Sequence, residues 1–288
     1  MGHSDKKSHY TTAARRMDRI LNCIVVVITV MMIIPFLWII LMSFKTDSEI
    51  LTTPFSLPEQ FSLDNYKRAL DILPLGSMYL NTMIIAFFSE AICLAATFMS
   101  SYGLTRLKYR SSKLQNGLYL YIISGLMIPT YILLFPIYRI NVILKLTGTY
   151  TALILPLAAS SISFNTLMFV GFLKSFPSEL EEAAVIDGCG LIRLCWSVVM
   201  PLMKPIMATV VIFNVLHVWN EYPLSVTLIQ DPAMRTISMV VSMFRGAYSI
   251  DYSGLVAGTI IILIPQLIFY GIFQKYIVGG QTAGAVKG

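Results

Sequence analysis

The chain has 288 residues, of which 56% are hydrophobic and only 12% charged, with a mean hydropathy of +0.73 and a formal net charge of +6. Soluble globular proteins carry about 25% charged residues, so the composition excludes an ordinary water-soluble domain. The positive surplus sits in connections between long apolar blocks, which removes any case for nucleic-acid binding.

Residues 1–19 are polar and basic and lack the short apolar core and small-residue cleavage site of a secretory signal. They are expected to form a cytoplasmic tail. A membrane-spanning helix needs about 20 mostly apolar residues. Windows of that kind lie at Ile20–Phe44, Met78–Tyr102, Gly117–Tyr138, Tyr150–Leu173, Pro201–Leu224 and Gly254–Ile277. Backbone groups in lipid must be satisfied within the segment. The expected fold class is therefore an all-α integral membrane protein with six transmembrane helices: a first helix at 20–44, an outer loop at 45–77, a core at 78–277 and a cytoplasmic tail at 278–288. With the N-terminus inside, 14 of the 21 Lys and Arg residues fall in inward-facing segments, as positive residues resist translocation. Both termini are expected in the cytoplasm.

Within the outer loop, the paired prolines of TTPFSLPEQ and the run Leu63-Asp64-Asn65-Tyr66 predict an extended stretch, then a short helix capped at Asp64. Asp231-Pro232 predicts a turn in the later outer connection. The cysteines Cys23, Cys93, Cys189 and Cys195 have neither C-x-x-C spacing nor His neighbours and read as small apolar fillers.

Between the fourth and fifth spans lies KSFPSELEEAAVIDGCGLIRLCWSVVMPLMKP, Lys174 to Pro205. Ser178 and Glu181 have the spacing of a capping box, and Glu179 and Glu182 favour the positive end of the helix dipole. Gly188 is the natural stop, and Asp187 stands where it could cap the next helix. Leu191–Val199 reads as a second short helix, with Leu194, Trp196 and Val198 available for contact and Pro201 ending it. This elbow is too polar to cross a membrane and too apolar to be a linker, which suggests a docking surface for a soluble partner.

Glu182-Ala183-Ala184, then Asp187-Gly188, then Pro201 resembles the EAA signature of ABC importer permeases. Cys189 replaces the usual small residue after Asp-Gly. Asn81-Thr82, Arg106, Met127-Ile128-Pro129, Trp219-Asn220-Glu221 and the terminal Gln281-Thr282-Ala283-Gly284-Ala285-Val286-Lys287-Gly288 are similar to maltose-type carbohydrate permeases. The resemblance implies that the elbow is a coupling helix docking on an ATPase, with Glu181, Glu182, Ala183, Ala184, Asp187, Gly188 and Pro201 as coupling residues. It also implies a bacterial inner-membrane location and a C-terminal tail that reaches toward the ATPase dimer. The expected partners are a second homologous permease, two cytoplasmic ATPase subunits, an extracytoplasmic sugar-binding protein and membrane lipid.

A sugar path should offer hydrogen-bonding groups in place of fixed ions. Glu90, Asn165, Asn214, His217 and Asn220 are the candidate pathway residues, with Asn214, His217 and Asn220 expected near one face, and Glu90 open to either substrate contact or an inter-subunit role. The sequence has no G-x-x-x-x-G-K-[ST] phosphate loop, no H-E-x-x-H and no G-x-S-x-G. No catalytic residue, metal ligand or cofactor is expected in the chain itself, ATP being bound by a partner. The alternatives are an ABC permease for another small solute and, with less support, an ion-coupled carrier, which needs several intramembrane ionisable groups and inverted repeats.

Overall fold

The computed structural model describes residues 12–175, 177–246 and 248–285, with side chains from 17 to 276. The regular elements among them are helical: α1 (Thr12–Met42), α2 (Asp47–Thr52), α3 (Asp64–Ile72), α4 (Leu75–Arg106), α5 (Ser112–Ile123), α6 (Leu134–Ile143), α7 (Thr151–Ser175), α8 (Glu179–Ile186), α9 (Leu191–Leu194), α10 (Met200–Leu202), α11 (Lys204–Asn220), α12 (Pro223–Leu228), α13 (Val240–Met243) and α14 (Tyr252–Ala285). Met17–Met42, Leu75–Arg106, Thr151–Ser175 and Tyr252–Tyr276 are each long and apolar enough to cross a bilayer alone. Two bent helix pairs raise the number to six when each is taken as one span.

Those two pairs depart from the expected straight spans. Ser112–Met127 and Thr130–Ile143 meet at 90°, because Pro129 lacks an N–H and its ring pushes Ile128 into extended backbone, ψ 115°. Leu191–Leu202 and Lys204–Asn220 meet at 74°. Pro201 therefore does not end the elbow helix as expected. A π turn at Cys195–Val199 widens the ladder just ahead of it and carries the helix on to Leu202. At the other end α11 stops at Asn220, and a separate α12 begins where the Glu221 carboxylate accepts the Leu224 N–H at 2.8 Å. The last helix runs on to Ala285, so most of the expected 278–288 tail is helical. Lys6 and Lys7 of the basic N-terminus, and Val286-Lys287-Gly288, lie outside the described residues.

Helices α4, α7, α11 and α14 pack together as the body, and two apolar clusters hold it. One contains Leu73, Met78, Ile85, Leu153, Trp219, Leu228 and Ile237, at the end bearing the 220–252 connection. The second contains Phe98, Tyr102, Phe169, Leu173, Leu194, Met203 and Ile206, at the elbow end. Between them lies a buried polar layer of Ser89, Glu90 and Thr97 on α4, Ser161, Asn165 and Thr166 on α7, and Asn214 on α11. By contrast, α1 is exposed all round from Met17 to Phe36, the state of an apolar helix whose covering is lipid or another subunit.

The segment between α1 and α4 is built tightly. Lys45 is fully buried, its Nζ donating to the carbonyls of Thr53 at 2.7 Å and Pro54 at 3.3 Å and to Ser56 Oγ at 3.0 Å. Asn65 Nδ2 donates to the Ser43 and Lys45 carbonyls, both at 2.9 Å, tying α3 to the end of α1. The short helix at Asp64 forms, but Asp64 is not its cap: the cap position is Leu63 with no side-chain bond, and the Asp64 carboxylate accepts the Ser62 hydroxyl at 2.6 Å. The Asp231-Pro232 turn forms as expected, Asp231 Oδ1 accepting the Ala233 N–H at 2.9 Å.

Thr46 and Glu49 form a capping box at α2, and Glu49 also accepts the Glu59 N–H at 2.9 Å. The Glu59 and Thr46 backbone donors hold the exposed Glu49 carboxyl below its ordinary pKa. A carboxyl depressed in this way stabilises the fold fully above its unfolded pKa and loses that contribution as the pH falls through the lowered value. Amide exchange at Thr46 and Glu59, whose N–H groups donate to this carboxylate, corrected for intrinsic rate, is expected to be flat around neutral pH and to quicken as the pH falls through the range in which Glu49 protonates. A flat corrected profile down to about pH 2 would contradict this role.

Candidate functional site

Helix α8 begins at Glu179 and breaks after Ile186 through a Schellman turn. The Gly188 N–H donates to the Val185 carbonyl at 3.0 Å and the Cys189 N–H to the Ala184 carbonyl at 2.9 Å. Gly188 has φ +80°, open to glycine and costly for other residues. The contact that accompanies such turns is made by Ala184 and Cys189, both packed against the elbow-end core. Cys189, the one departure from the family pattern, thus fills the place of a small apolar residue.

The anticipated capping box does not form. Ser178 has helical backbone and no side-chain cap bond, and its hydroxyl donates instead to Glu182 Oε1 at 2.9 Å. Glu181 turns inward, where Arg106 Nε, from the last turn of α4, donates to its Oε1 at 2.6 Å. The Tyr102 hydroxyl donates to its Oε2 at 3.4 Å. Both ion-pair partners are largely buried, and a carboxylate so placed is worth more to a guanidinium than to a loose cap. Asp187 ends α8 and does not cap the next helix, whose cap position is Gly190.

The elbow thereby has two unlike faces. Leu194, Val199 and Met203 are buried against Phe98, Tyr102, Phe169 and Phe172 from the ends of α4 and α7. Trp196 and Val185 point outward, and Ile186 and Ile192 are 86% exposed each. Glu182, Ala183, Asp187 and Pro201 are exposed as well. A cavity of about 410 Å³ lies beside this knob, lined in part by Arg106, Glu181, Glu182 and Ile186.

Residues 95–281 match the protein family described as binding-protein-dependent transport system inner membrane component. The chain belongs to that family. It is 31% identical to a diacetylchitobiose uptake system permease of Streptomyces coelicolor over 95% of this chain and 90% of that protein. It is 29% identical to the melibiose/raffinose/stachyose import permease of Bacillus subtilis over 94% and 97%. The fold matches a chain of a bacterial ABC transporter that imports the acidic polysaccharide alginate, with TM-score 0.75 and 20% identity over 93% and 98% of the two chains. The chain is a multi-pass membrane protein and a permease subunit of an ABC importer that works with partner subunits.

The pathway candidates of this permease divide. Asn214 Nδ2 donates to Glu90 Oε2 at 2.7 Å, and Asn165 Nδ2 to Cys93 Sγ at 3.1 Å, one turn along α4 from Glu90. These three candidates share the buried polar layer. His217 and Asn220 do not join them: both are exposed, and Asn220 Nδ2 turns back to the Leu216 carbonyl at 2.8 Å. Each three-residue step along a helix falls about 60° short of a full turn, so Asn214 faces inward and His217 and Asn220 rotate away. Asn81 and Thr82 are structural: Asn81 Nδ2 donates to the Ala233 and Arg235 carbonyls and Thr82 Oγ1 accepts the Ile237 N–H, each at 2.9 Å, pinning the connection between α12 and α13 to α4.

Sequence reading named Arg106 and Glu181 separately and did not join them. The available signal was an acid and a base each beside an apolar stretch, at two ends that the topology places on one side.

Proposed function

We propose that this permease forms half of the pore of a sugar or oligosaccharide importer. A second homologous permease forms the other half, two cytoplasmic ATPase subunits bind and hydrolyse the ATP, and an extracytoplasmic binding protein delivers the cargo. The elbow end, with the termini, faces the cytoplasm of a bacterial inner membrane, the direction favoured by its excess of Lys and Arg. The cargo class is supported by the diacetylchitobiose and melibiose/raffinose/stachyose permeases among its relatives.

The observation that carries the coupling role is the two-faced elbow: an exposed apolar knob, Ile186, Ile192 and Trp196, on a segment held to α4 by a buried ion pair. Glu182 and Asp187 border the docking face, Ala183 keeps it shallow, Ala184 packs the turn against the core, Gly188 sets the turn and Glu181 anchors it. Pro201 helps to place the bend through which elbow motion reaches α11. Closure of the ATPase dimer draws the two elbows together and rocks the bundles between inward- and outward-open states. Glu90 and Asn214 line the route, with Asn165 behind them, and His217 and Asn220 face its opening.

The test is to reconstitute the permease with its sister, the ATPase and the binding protein, and to titrate melibiose, raffinose, stachyose and diacetylchitobiose. At least one is expected to stimulate binding-protein-dependent ATP hydrolysis and to accumulate in the vesicles. Stimulation by amino acids or phosphate with none by saccharides would overturn the cargo assignment.

A further inference from the structure

The connection between α4 and α5 carries a charge pattern that the coupling role does not use. It runs Leu107-Lys108-Tyr109-Arg110-Ser111, and Lys113 follows in the first turn of α5. No Asp or Glu occurs in the sequence between Glu90 and Glu179. Arg106, which ends α4, grips Glu181. Lys108, Arg110 and Lys113 are exposed, and among the described residues no carboxylate lies within ion-pair distance of them.

The loop itself is firmly built. Gln115 Nε2 donates to the Leu104 carbonyl at 2.6 Å, closing α5 onto the end of α4, and Ser111 Oγ accepts the Lys113 N–H at 3.2 Å as the cap of α5. Tyr109 is half-buried with its hydroxyl beside Gly103, while Lys108 and Arg110 on either side of it stay in solvent. Lys174, from the last turn of α7, adds another positive charge over the Tyr119 ring of α5, 5.3 Å from its centroid. Cations crowded at the start of a helix also meet the positive end of its dipole. The patch is therefore unfavourable until an anion covers it.

The neighbouring residues say which anion fits. Arg106 ends one membrane-spanning helix and Ser112 begins the next apolar segment, so the short loop between them lies at the membrane surface. Along α5, Leu114, Leu118 and Tyr121 fall on one face and are 53%, 39% and 78% exposed. This apolar stripe leads from the cations into the bilayer. A soluble anion would use only the cations, whereas a phospholipid uses both. We propose that Lys108, Arg110 and Lys113 bind the headgroup phosphates of anionic phospholipids, whose acyl chains lie along Leu114, Leu118 and Tyr121. Each cation near such a surface strengthens the attraction about fivefold. Because Arg106 joins this loop to the elbow, headgroup binding holds the end of α4 at the membrane surface while the elbow moves, and coupling becomes lipid-dependent. The inference goes beyond the proposed function and holds whichever solute is carried.

The experiment reconstitutes the complete importer in phosphatidylcholine vesicles carrying a trace of photoreactive phosphatidylglycerol. Illumination is expected to label the segment 107–121 of the wild type. In Lys108→Gln/Arg110→Gln/Lys113→Gln, labelling per assembled importer is expected to fall about tenfold or more, and in each single variant about fivefold. Photoreactive phosphatidylcholine is expected to label all of them alike, and Lys67→Gln, on α3 beside the opposite end of α4, is expected to match the wild type. The single variants decide the question if the triple variant does not assemble. Replacing part of the phosphatidylcholine by phosphatidylglycerol is further expected to raise binding-protein-stimulated ATP hydrolysis about threefold in the wild type and not in the variant. Equal phosphatidylglycerol labelling of wild type and variants would overturn the headgroup site. So would loss of the ATPase from the variants in detergent, which would assign these cations to that subunit. The labelling needs no cargo, so its failure is distinguishable from failure of the sugar assignment.

Discussion

Replacing Gly188 by proline is expected to abolish uptake while leaving the chain inserted in the membrane. Gly188 sits at φ +80°, whereas proline is locked near −65° and has no N–H. The substitution therefore removes the bond to the Val185 carbonyl and forbids the turn that points α8 back toward α9. Gly188→Ala separates the backbone cause from a packing cause. A Cβ there would meet nothing within 4 Å, so alanine loses only the left-handed backbone preference, about 1–2 kcal/mol. That is a roughly tenfold population shift. Graded uptake in membranes of equal permease content, wild type above alanine above proline, is the expected result. Full uptake with proline would remove the elbow turn from the coupling mechanism.

The second large effect belongs to Arg106 and Glu181. Breaking a buried ion pair by removing one partner costs about 3–5 kcal/mol, because the other charge stays buried without compensation. That pair joins the elbow to the end of α4, the helix that carries Glu90 sixteen residues away. Arg106→Ala and Glu181→Ala are each expected to lower uptake more than tenfold and to leave ATP hydrolysis poorly responsive to the binding protein. The exchanged pair, Arg106→Glu with Glu181→Arg, is expected to recover part of the loss, giving a coupling energy of roughly 1–3 kcal/mol in a double-mutant cycle. Two single variants with normal coupled uptake would show that the elbow moves independently of α4.

The helical membrane class was legible from apolar windows alone, and Gly188 as the break in the elbow was legible from its residue type. The breaks at Pro129 and after Leu202 were less so. A hydropathy window sums composition and is blind to the bend that a proline imposes, and at Pro201 the π turn moved the break beyond the proline itself. Capping was misread for a related reason. Ser178 and Glu181 have the right spacing, but local spacing competes with a guanidinium 75 residues earlier in the chain, which only the packed bundle brings near. Among the pathway candidates, three-residue spacing brought Asn214, His217 and Asn220 close in sequence, and helical rotation then split them between the interior and the open face.

The central claim is that the elbow knob seats on the ATPase, and a photo-crosslinking residue at Ile186, 86% exposed and at the tip of α8, tests it most directly. In the assembled importer, illumination is expected to join the permease to the ATPase subunit with a yield that changes on adding ATP. The same probe at Tyr121, 78% exposed on α5, is expected to give no ATPase adduct. An assembled, ATP-hydrolysing importer in which the Ile186 probe captures no ATPase in any nucleotide state would contradict the account.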